Sequence, residues 1–175
     1  NDALLEIANS KAAALRKDKQ AIDRQDFLDA VDRIVGGLER KSKIITPEEK
    51  KSIIDYRRQK AYDNLNEARE VAKLCFWNLT GNRLYYAAFH MASALLLDKG
   101  LSAKSHGGLI HLIGSQFVTK GLLDKTYGRL FSRLYELRQS GDYDDLYDAT
   151  EEEVLPYIEK TEAFIREMEN LISIA

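Results

Sequence analysis

Apolar residues recur at three- and four-residue spacing along almost the whole chain, and no stretch alternates regularly between apolar and polar residues. That spacing places apolar side chains on one face of an α-helix, whereas alternation is typical of a half-buried strand. The pattern therefore predicts an all-α protein. With 175 residues, the chain is long enough for one well-packed core and a small appendage.

Capping signals divide the second part of the chain into helices. Thr46-Pro47-Glu48-Glu49 combines an N-cap threonine, a proline in the first turn and a glutamate three residues after the threonine, which predicts a helix from there to about Phe76. A central helix is predicted from about Leu79 to Lys99, where Gly100 ends it. A polar loop over residues 102–108 precedes three more predicted helices, which cover residues 109–118, run from Asp124 to the segment 138–145, and run from Thr150 to about Ile172.

The sequence pattern of the first 45 residues predicts a separate unit. An apolar stripe favours a helix over residues 2–17, and a second helix is predicted from an Asp23 cap to Gly36-Gly37. Two short helices form a weak core by themselves, so this unit needs something to pack on. We predict an N-terminal two-helix appendage over residues 1–45 and an up-and-down helical bundle over residues 46–175.

Composition limits the cellular setting and the chemistry. No run of 18 apolar residues occurs, and the acidic Asp2 and Glu6 do not fit a signal peptide, so we expect a cytoplasmic protein that does not enter a membrane. The single cysteine, Cys75, excludes an internal disulfide and a cysteine-based zinc cluster. We expect it to be a packed small hydrophobe rather than a nucleophile.

Charge is distributed unevenly along the chain, although the net charge is only −2. Residues 51–140 contain 14 Lys and Arg against 7 Asp and Glu, whereas residues 141–175 contain 2 against 11. A basic helical surface attracts polyanions such as RNA, but the acidic end can also cover it in the same molecule or in a dimer. An ordinary solvated surface is the third interpretation.

Arg83, Tyr86 and His90 are the first candidate site. Their spacing of three and then four residues places them on one face of the central helix. Neighbouring apolar residues already suffice to bury this helix, so a cation, a phenol and an imidazole beside them need partners or a ligand. Two interpretations stay open, namely a structural hydrogen-bond network across a helix interface and a functional polar site.

Residues 21–45 include the run Gly37-Leu38-Glu39-Arg40-Lys41-Ser42 and resemble the end of the helical lid subdomain of the AAA+ metalloprotease FtsH. The resemblance covers roughly the first 50 residues. The chain contains neither a phosphate-binding Gly-x-x-x-x-Gly-Lys-Ser/Thr loop nor a His-Glu-x-x-His zinc helix. We therefore expect neither ATPase nor protease activity, and we interpret residues 1–45 as a fused fragment, natural or engineered.

Three further blocks of sequence resemble the HEPN superfamily, and in particular its small stand-alone UPF0332 type. They are Asn82-Arg83-Leu84-Tyr85-Tyr86-Ala87-Ala88-Phe89-His90, then Lys104-Ser105-His106-Gly107 with Phe117 to Gly121 following, and Leu137-Arg138-Gln139-Ser140-Gly141-Asp142-Tyr143-Asp144. The resemblance implies a bundle of four to five helices that commonly forms homodimers. It also implies a link to RNA, because many members are metal-independent endoribonucleases, often toxins neutralised by a minimal nucleotidyltransferase. No cofactor is implied.

The family's nuclease signature is an arginine and a histidine with four to six residues between them. An imidazole can move the proton of the ribose 2′-hydroxyl while the guanidinium holds the scissile phosphate. Here the late segment from Arg138 to Tyr143 contains no histidine, and Asp142 would repel phosphate. A literal match runs instead from Arg83 to His90, in the earlier helix.

Three functions therefore stay open. We expect a dimeric nucleotide- or RNA-binding module with a degenerate nuclease motif, in which Asn82, Tyr86, His106 and Asp142 contact the ligand. The first alternative is an active endoribonuclease that uses Arg83, His90, Arg138 and Tyr143. In the second alternative, a purely structural helical domain, Arg83 or Arg138 pairs with Asp142 and leaves no open pocket.

Overall fold

Every regular element in the described part of the chain is helical. The structure is a computed structural model that describes residues 45–143 and 147–172. Its elements are α1 (Pro47–Ala72), α2 (Trp77–Asp98), α3 (His106–Ile113), a π-helical turn (Gly114–Val118), α4 (Lys125–Tyr143), α5 (Glu151–Val154) and α6 (Tyr157–Leu171). The predicted all-α bundle is confirmed. The two helices predicted within the first 45 residues lie outside the described residues.

Helix α1 begins at the predicted capping box. The Thr46 hydroxyl accepts a hydrogen bond from the Glu49 amide at 3.2 Å, and the Glu49 carboxylate accepts one from the Thr46 amide at 2.9 Å. The helix ends at Ala72 rather than near Phe76 as predicted. Cys75 falls in the following turn with φ of +60° and is exposed, so its expected packing in the core is wrong.

Helix α2 forms the centre of the bundle and contacts every other helix described. It runs antiparallel to α1, since Lys50 donates to the Asp98 carbonyl at 2.8 Å while Arg83, near the other end of α2, pairs with Glu67. Its buried residues include many small ones, which let neighbouring helices approach closely. A Cβ added at Gly81 would lie 3.6 Å from the Leu137 Cβ of α4.

Helix α3 begins earlier than the sequence predicts. The Ser105 hydroxyl accepts a hydrogen bond from the Gly108 amide at 3.1 Å, so Gly107 and Gly108 form the first turn of a helix rather than part of a loop. The helix continues into the π-helical turn, where the Thr119 amide donates to the Gly114 carbonyl at 2.9 Å. Gly121, with φ of +72°, then ends the segment.

The last two predicted helices differ from the structure at their ends. Asp124 caps α4 as predicted. It accepts from the Thr126 hydroxyl at 2.7 Å and from the Thr126 amide at 2.8 Å, and these two hydrogen bonds lower the pKa of its carboxyl. Helix α4 then extends to Tyr143, so Arg138 lies within it. The Thr150 capping box is confirmed, but the last helix is divided into α5 and α6 because Pro156 has no amide hydrogen to donate.

The acidic end of the chain meets the basic middle within one molecule. Arg58 of α1 donates to Glu169 of α6 at 2.6 Å, and Arg69 donates to Glu162 at the same distance. Tyr62 also donates to the Glu169 carboxylate. These contacts agree with the prediction that the acidic segment can cover basic groups intramolecularly, and they show that α1 and α6 are antiparallel.

Candidate functional site

The polar face of α2 lies between two neighbouring helices. Tyr86 is only 1% exposed, whereas Arg83 and His90 are half-buried. Arg83 is directed towards α1, where its Nη1 lies 3.5 Å from the Asn64 amide oxygen and 3.3 Å from Glu67. Tyr86 instead lies beneath α4. The three residues share one helical face as predicted, yet they contact different partners.

Tyr86 is the point where three basic groups from three helices converge. The Arg138 guanidinium of α4 lies 5.8 Å from the centre of the Tyr86 ring. The His90 ring of α2 lies 6.3 Å from that centre, and the His106 ring of α3 lies 6.4 Å from it in an edge-to-face arrangement. We call these four residues the Tyr86 cluster. It joins residues from all three blocks of the sequence resemblance.

Arg138 is nearly buried, with 7% of its surface exposed. A guanidinium is easier to enclose than an ammonium ion, because it is planar, weakly hydrated and packs on aromatic faces. The contact with Tyr86 fits that behaviour. Arg138 thus places a permanent positive charge beside the ring, largely shielded from water, where its interaction with an anion is strengthened.

His106 is held in one orientation by its neighbours. The hydroxyl of Tyr85, which is fully buried, lies 2.5 Å from the His106 Nδ1. The imidazole ring lies 4.7 Å from the Phe89 ring and is nearly parallel to the Tyr135 ring at 6.3 Å. When Tyr85 donates this hydrogen bond, a neutral His106 carries its proton on Nε2. The bond therefore fixes the ring orientation and couples the His106 tautomer to the direction of the Tyr85 hydroxyl hydrogen.

Sequence reasoning missed Tyr85, Phe89 and Tyr135 as the groups that hold His106. The only local signal was the pair of adjacent tyrosines, whose side chains leave a helix about 100° apart and so meet different neighbours. It also missed Asn78, which lies in the first turn of α2. The Asn78 side chain accepts from the Ala149 amide at 2.8 Å and so fixes the segment that precedes α5.

The remaining predicted site residues lie in α2 and α4. Asn82 is buried in α2, with 5% of its surface exposed. Asp142 and Tyr143 belong to the last turn of α4, but their side chains lie outside the described part of the structure. The pairing of Arg83 or Arg138 with Asp142 stays a prediction. Among residues 45–143 and 147–172, no three His, Cys, Asp or Glu side chains group to hold a metal ion.

None of the helices within the described ranges is long and apolar enough to cross a membrane.

The cations outside the cluster are partly neutralised, since Arg58 and Arg69 pair with α6. Lys125 and Arg129 remain exposed on α4, one helical turn apart. The described surface is therefore basic near α4 and mixed in charge along α1 and α6.

One similarity concerns a small part of the chain. A stretch of 43 residues is 54% identical to the ATP-dependent zinc metalloprotease FtsH of Parabacteroides distasonis, which is 25% of this chain and 6% of that protease. It agrees with the resemblance of the N-terminal segment. The remaining 94% of that protease has no counterpart in this match.

Most of the chain is similar to a different group of proteins. A UPF0332 protein of Thermotoga maritima is 40% identical over 124 residues, covering 71% of this chain and 94% of the relative. A Methanocaldococcus jannaschii protein bearing the name "putative toxin" is 38% identical over 105 residues, covering 60% and 78%. The HEPN domain model matches residues 54–171, which contain the whole Tyr86 cluster. Together with the helical bundle, these matches establish that the chain belongs to the HEPN domain family.

Proposed function

We propose that this chain is a toxin-type HEPN protein whose Tyr86 cluster binds RNA or a nucleotide. The observation that carries the proposal is the convergence of Arg138, His90 and His106 on one tyrosine ring. Guanidinium groups recognise phosphate through paired hydrogen bonds, and imidazole N–H groups can donate to phosphate oxygens. A relative that bears the name "putative toxin" supports the wider setting.

The cluster is suited to a single phosphate group rather than to a long duplex. Its one arginine is nearly buried and its two imidazoles are half-buried, so only a group that enters between the helices can reach all three. A duplex is recognised mainly through phosphates spread across an open basic surface. We therefore propose an unpaired nucleotide or an RNA end as the ligand, in agreement with a binding module.

A second candidate function, RNA cleavage, is favoured by the presence of two imidazoles beside the same guanidinium. In that reaction one imidazole takes the proton of the 2′-hydroxyl, and the 2′-oxygen forms a bond to phosphorus. The bond from phosphorus to the 5′-oxygen breaks, and the leaving oxygen takes a proton from the other imidazole. Arg138 would stabilise the negative charge on the phosphate oxygens.

The same proposal includes a protein context. HEPN proteins of the toxin type are expected to act as homodimers and to be neutralised by a partner such as a minimal nucleotidyltransferase. The described bundle has an exposed basic region on α4, with Lys125 and Arg129, that suits contact with an acidic partner surface. Arg83, Asn82, Asp142 and Tyr143 remain proposed members of the site.

The test is RNA binding and cleavage by the full chain in EDTA. A labelled single-stranded oligoribonucleotide is mixed with wild type, Arg138→Gln and His90→Asn, and anisotropy and product length are read from the same samples. Arg129→Gln is the matched control, because it removes the same charge from an exposed position on the same helix. We expect Arg138→Gln to weaken binding by about tenfold to a hundredfold, which corresponds to about 1.4–2.8 kcal/mol.

Equal losses in Arg129→Gln and Arg138→Gln would reject the cluster as the site, because only general charge would then matter. Products ending in a 2′,3′-cyclic phosphate, absent with His90→Asn, would favour the nuclease over the binding module. Thermal unfolding of each variant keeps loss of function separate from loss of folding. His90→Asn, at a half-buried position, gives a second reading if Arg138→Gln unfolds.

A further inference from the structure

We propose that one end of the bundle docks a partner protein segment that carries apolar side chains flanked by Lys or Arg. Four large apolar side chains are exposed there, and we call them the end surface. They are Leu74 at 63% exposure, Phe76 at 56%, Leu79 at 40% and Leu155 at 45%. This proposal is independent of the Tyr86 cluster and of its ligand.

The helix pairing places these residues at the same end of the bundle. Arg69 of α1 contacts Glu162 of α6 at 2.6 Å, and the two helices are antiparallel. Leu74 lies five residues after Arg69, and Leu155 lies seven residues before Glu162. Both therefore lie beyond that ion pair in the same direction, since α1 ends at Ala72 and α6 begins at Tyr157. Phe76 and Leu79 begin α2 at this end.

The clustering is more informative than the exposure of any single residue. Isolated exposed leucines are common on protein surfaces and need no explanation, but several together mark an interaction site. In the described ranges, only two other large apolar residues are exposed, Tyr56 and Leu122. Leu122 lies just before α4, and Gly141, near the other end of that 19-residue helix, lies beside Asn78. Leu122 is therefore about 28 Å from the end surface, measured along the helix.

Acidic groups surround the end surface. Asp148 lies beside the first turn of α2. It accepts a hydrogen bond from the Asn78 side-chain amide at 3.3 Å, and the Ala149 backbone amide donates to the Asn78 side-chain oxygen. Glu151 and Glu152 are exposed one helical turn before Leu155. On the other side, Glu70 is exposed and pairs with Lys73 at 2.7 Å.

The net charge of these groups indicates which kind of partner the end surface fits. Glu70, Asp148, Glu151 and Glu152 carry four negative charges, whereas Lys73 supplies one positive charge among the groups named here. Such a rim repels nucleic acid and anionic membrane surfaces and attracts cationic segments. An apolar centre with an acidic rim is complementary to an apolar segment bordered by Lys or Arg.

The experiment uses the full chain and a fluorescein-labelled synthetic peptide with Leu at helical spacing and Lys on its other face. Two control peptides replace Lys by Glu or Leu by Ser. Binding is measured by fluorescence anisotropy at low and high salt for wild type, Leu74→Ser/Phe76→Ser and the matched control Leu122→Ser. All three positions are exposed, so these variants retain the fold.

We expect the Leu/Lys peptide to bind wild type and Leu122→Ser equally, and Leu74→Ser/Phe76→Ser to bind it at least about tenfold more weakly. Binding should fall at high salt. Equal binding by all three proteins, tight binding of the Leu/Glu peptide or absence of binding would each overturn the proposal. The last measurement is sedimentation of the chain without peptide. If wild type is a dimer and Leu74→Ser/Phe76→Ser is a monomer, the end surface binds a second copy of the chain, which would also overturn the proposal.

Discussion

Arg83 and Arg138 look equivalent in the sequence but have different surroundings in the fold. Arg83 is about a quarter exposed and pairs with Glu67, a contact of a kind that typically contributes less than about 1 kcal/mol. Arg138 is nearly buried and lies over the Tyr86 ring, where cation–π attraction is stronger because water is excluded. Of the two, Arg138 is the better placed to meet a ligand at the Tyr86 cluster.

The Tyr62 side chain should make the stability of the protein depend on pH. Burial, followed by its hydrogen bond to Glu169, raises the pKa of Tyr62 from near 10 to about 12. The folded state thus holds this proton more tightly than the unfolded state, so the stabilisation is complete below pH 10 and is lost as pH rises towards 12. We expect Tyr62→Phe to be less stable than wild type by about 1 kcal/mol at pH 8.

That difference should shrink when both proteins are compared by urea unfolding at pH 11. The difference in unfolding free energy between the two proteins cancels the contributions of the other tyrosines and of the lysines, which are common to both. A difference that stays constant or grows between pH 8 and pH 11 would contradict the assigned role of the Tyr62–Glu169 contact.

At the scale of elements, α1 and α2 are each followed by a residue in the left-handed region of backbone conformation. Cys75, after α1, has φ of +60°, and Gly100, after α2, has φ of +70°. Glycine adopts this conformation without strain, whereas a side chain adds about 1 kcal/mol or more. The turn after α1 therefore carries strain that the turn after α2 lacks.

This contrast predicts opposite effects of two substitutions. Cys75→Gly should raise the free energy of unfolding by about 0.5–1 kcal/mol, and Gly100→Ala should lower it by about 1 kcal/mol. A Cβ at Gly100 would meet no atom within 4 Å, so its effect comes from the backbone alone. Gly107→Ala is the control, because that site is equally open but helical and should tolerate alanine. Urea unfolding measures all three, and equal losses at Gly100 and Gly107 would contradict this account.

At the scale of the whole molecule, the sequence predicts local features better than contacts between helices. The caps at Thr46, Asp124 and Thr150 depend on side chains within three residues of the helix start, so they are visible without a fold. The early start of α3 was not predicted, because two glycines disfavour a helix while the Ser105 cap supports one. The proposed division into residues 1–45 and 46–175 stays a prediction.

The candidate site illustrates the same limit. Spacing placed Arg83, Tyr86 and His90 on one helical face, but it could not indicate that α3 and α4 would bring His106 and Arg138 to the same ring. Those contacts join positions 20 and 52 residues from Tyr86, which no local pattern connects. Family resemblance singled out the three blocks, and only the fold shows how they meet.

The most direct test of the central claim follows the three histidines of the chain by NMR. A short single-stranded oligoribonucleotide is added to the full chain, and the ring signals of His90, His106 and His111 are recorded. His111 is exposed on α3, so it is an internal control within the same helix as His106. We predict that His90 and His106 shift together with one saturation point, that His111 stays unchanged, and that Arg138→Gln abolishes both shifts. Equal shifts of all three histidines, or shifts of none, would contradict a ligand site at the Tyr86 cluster.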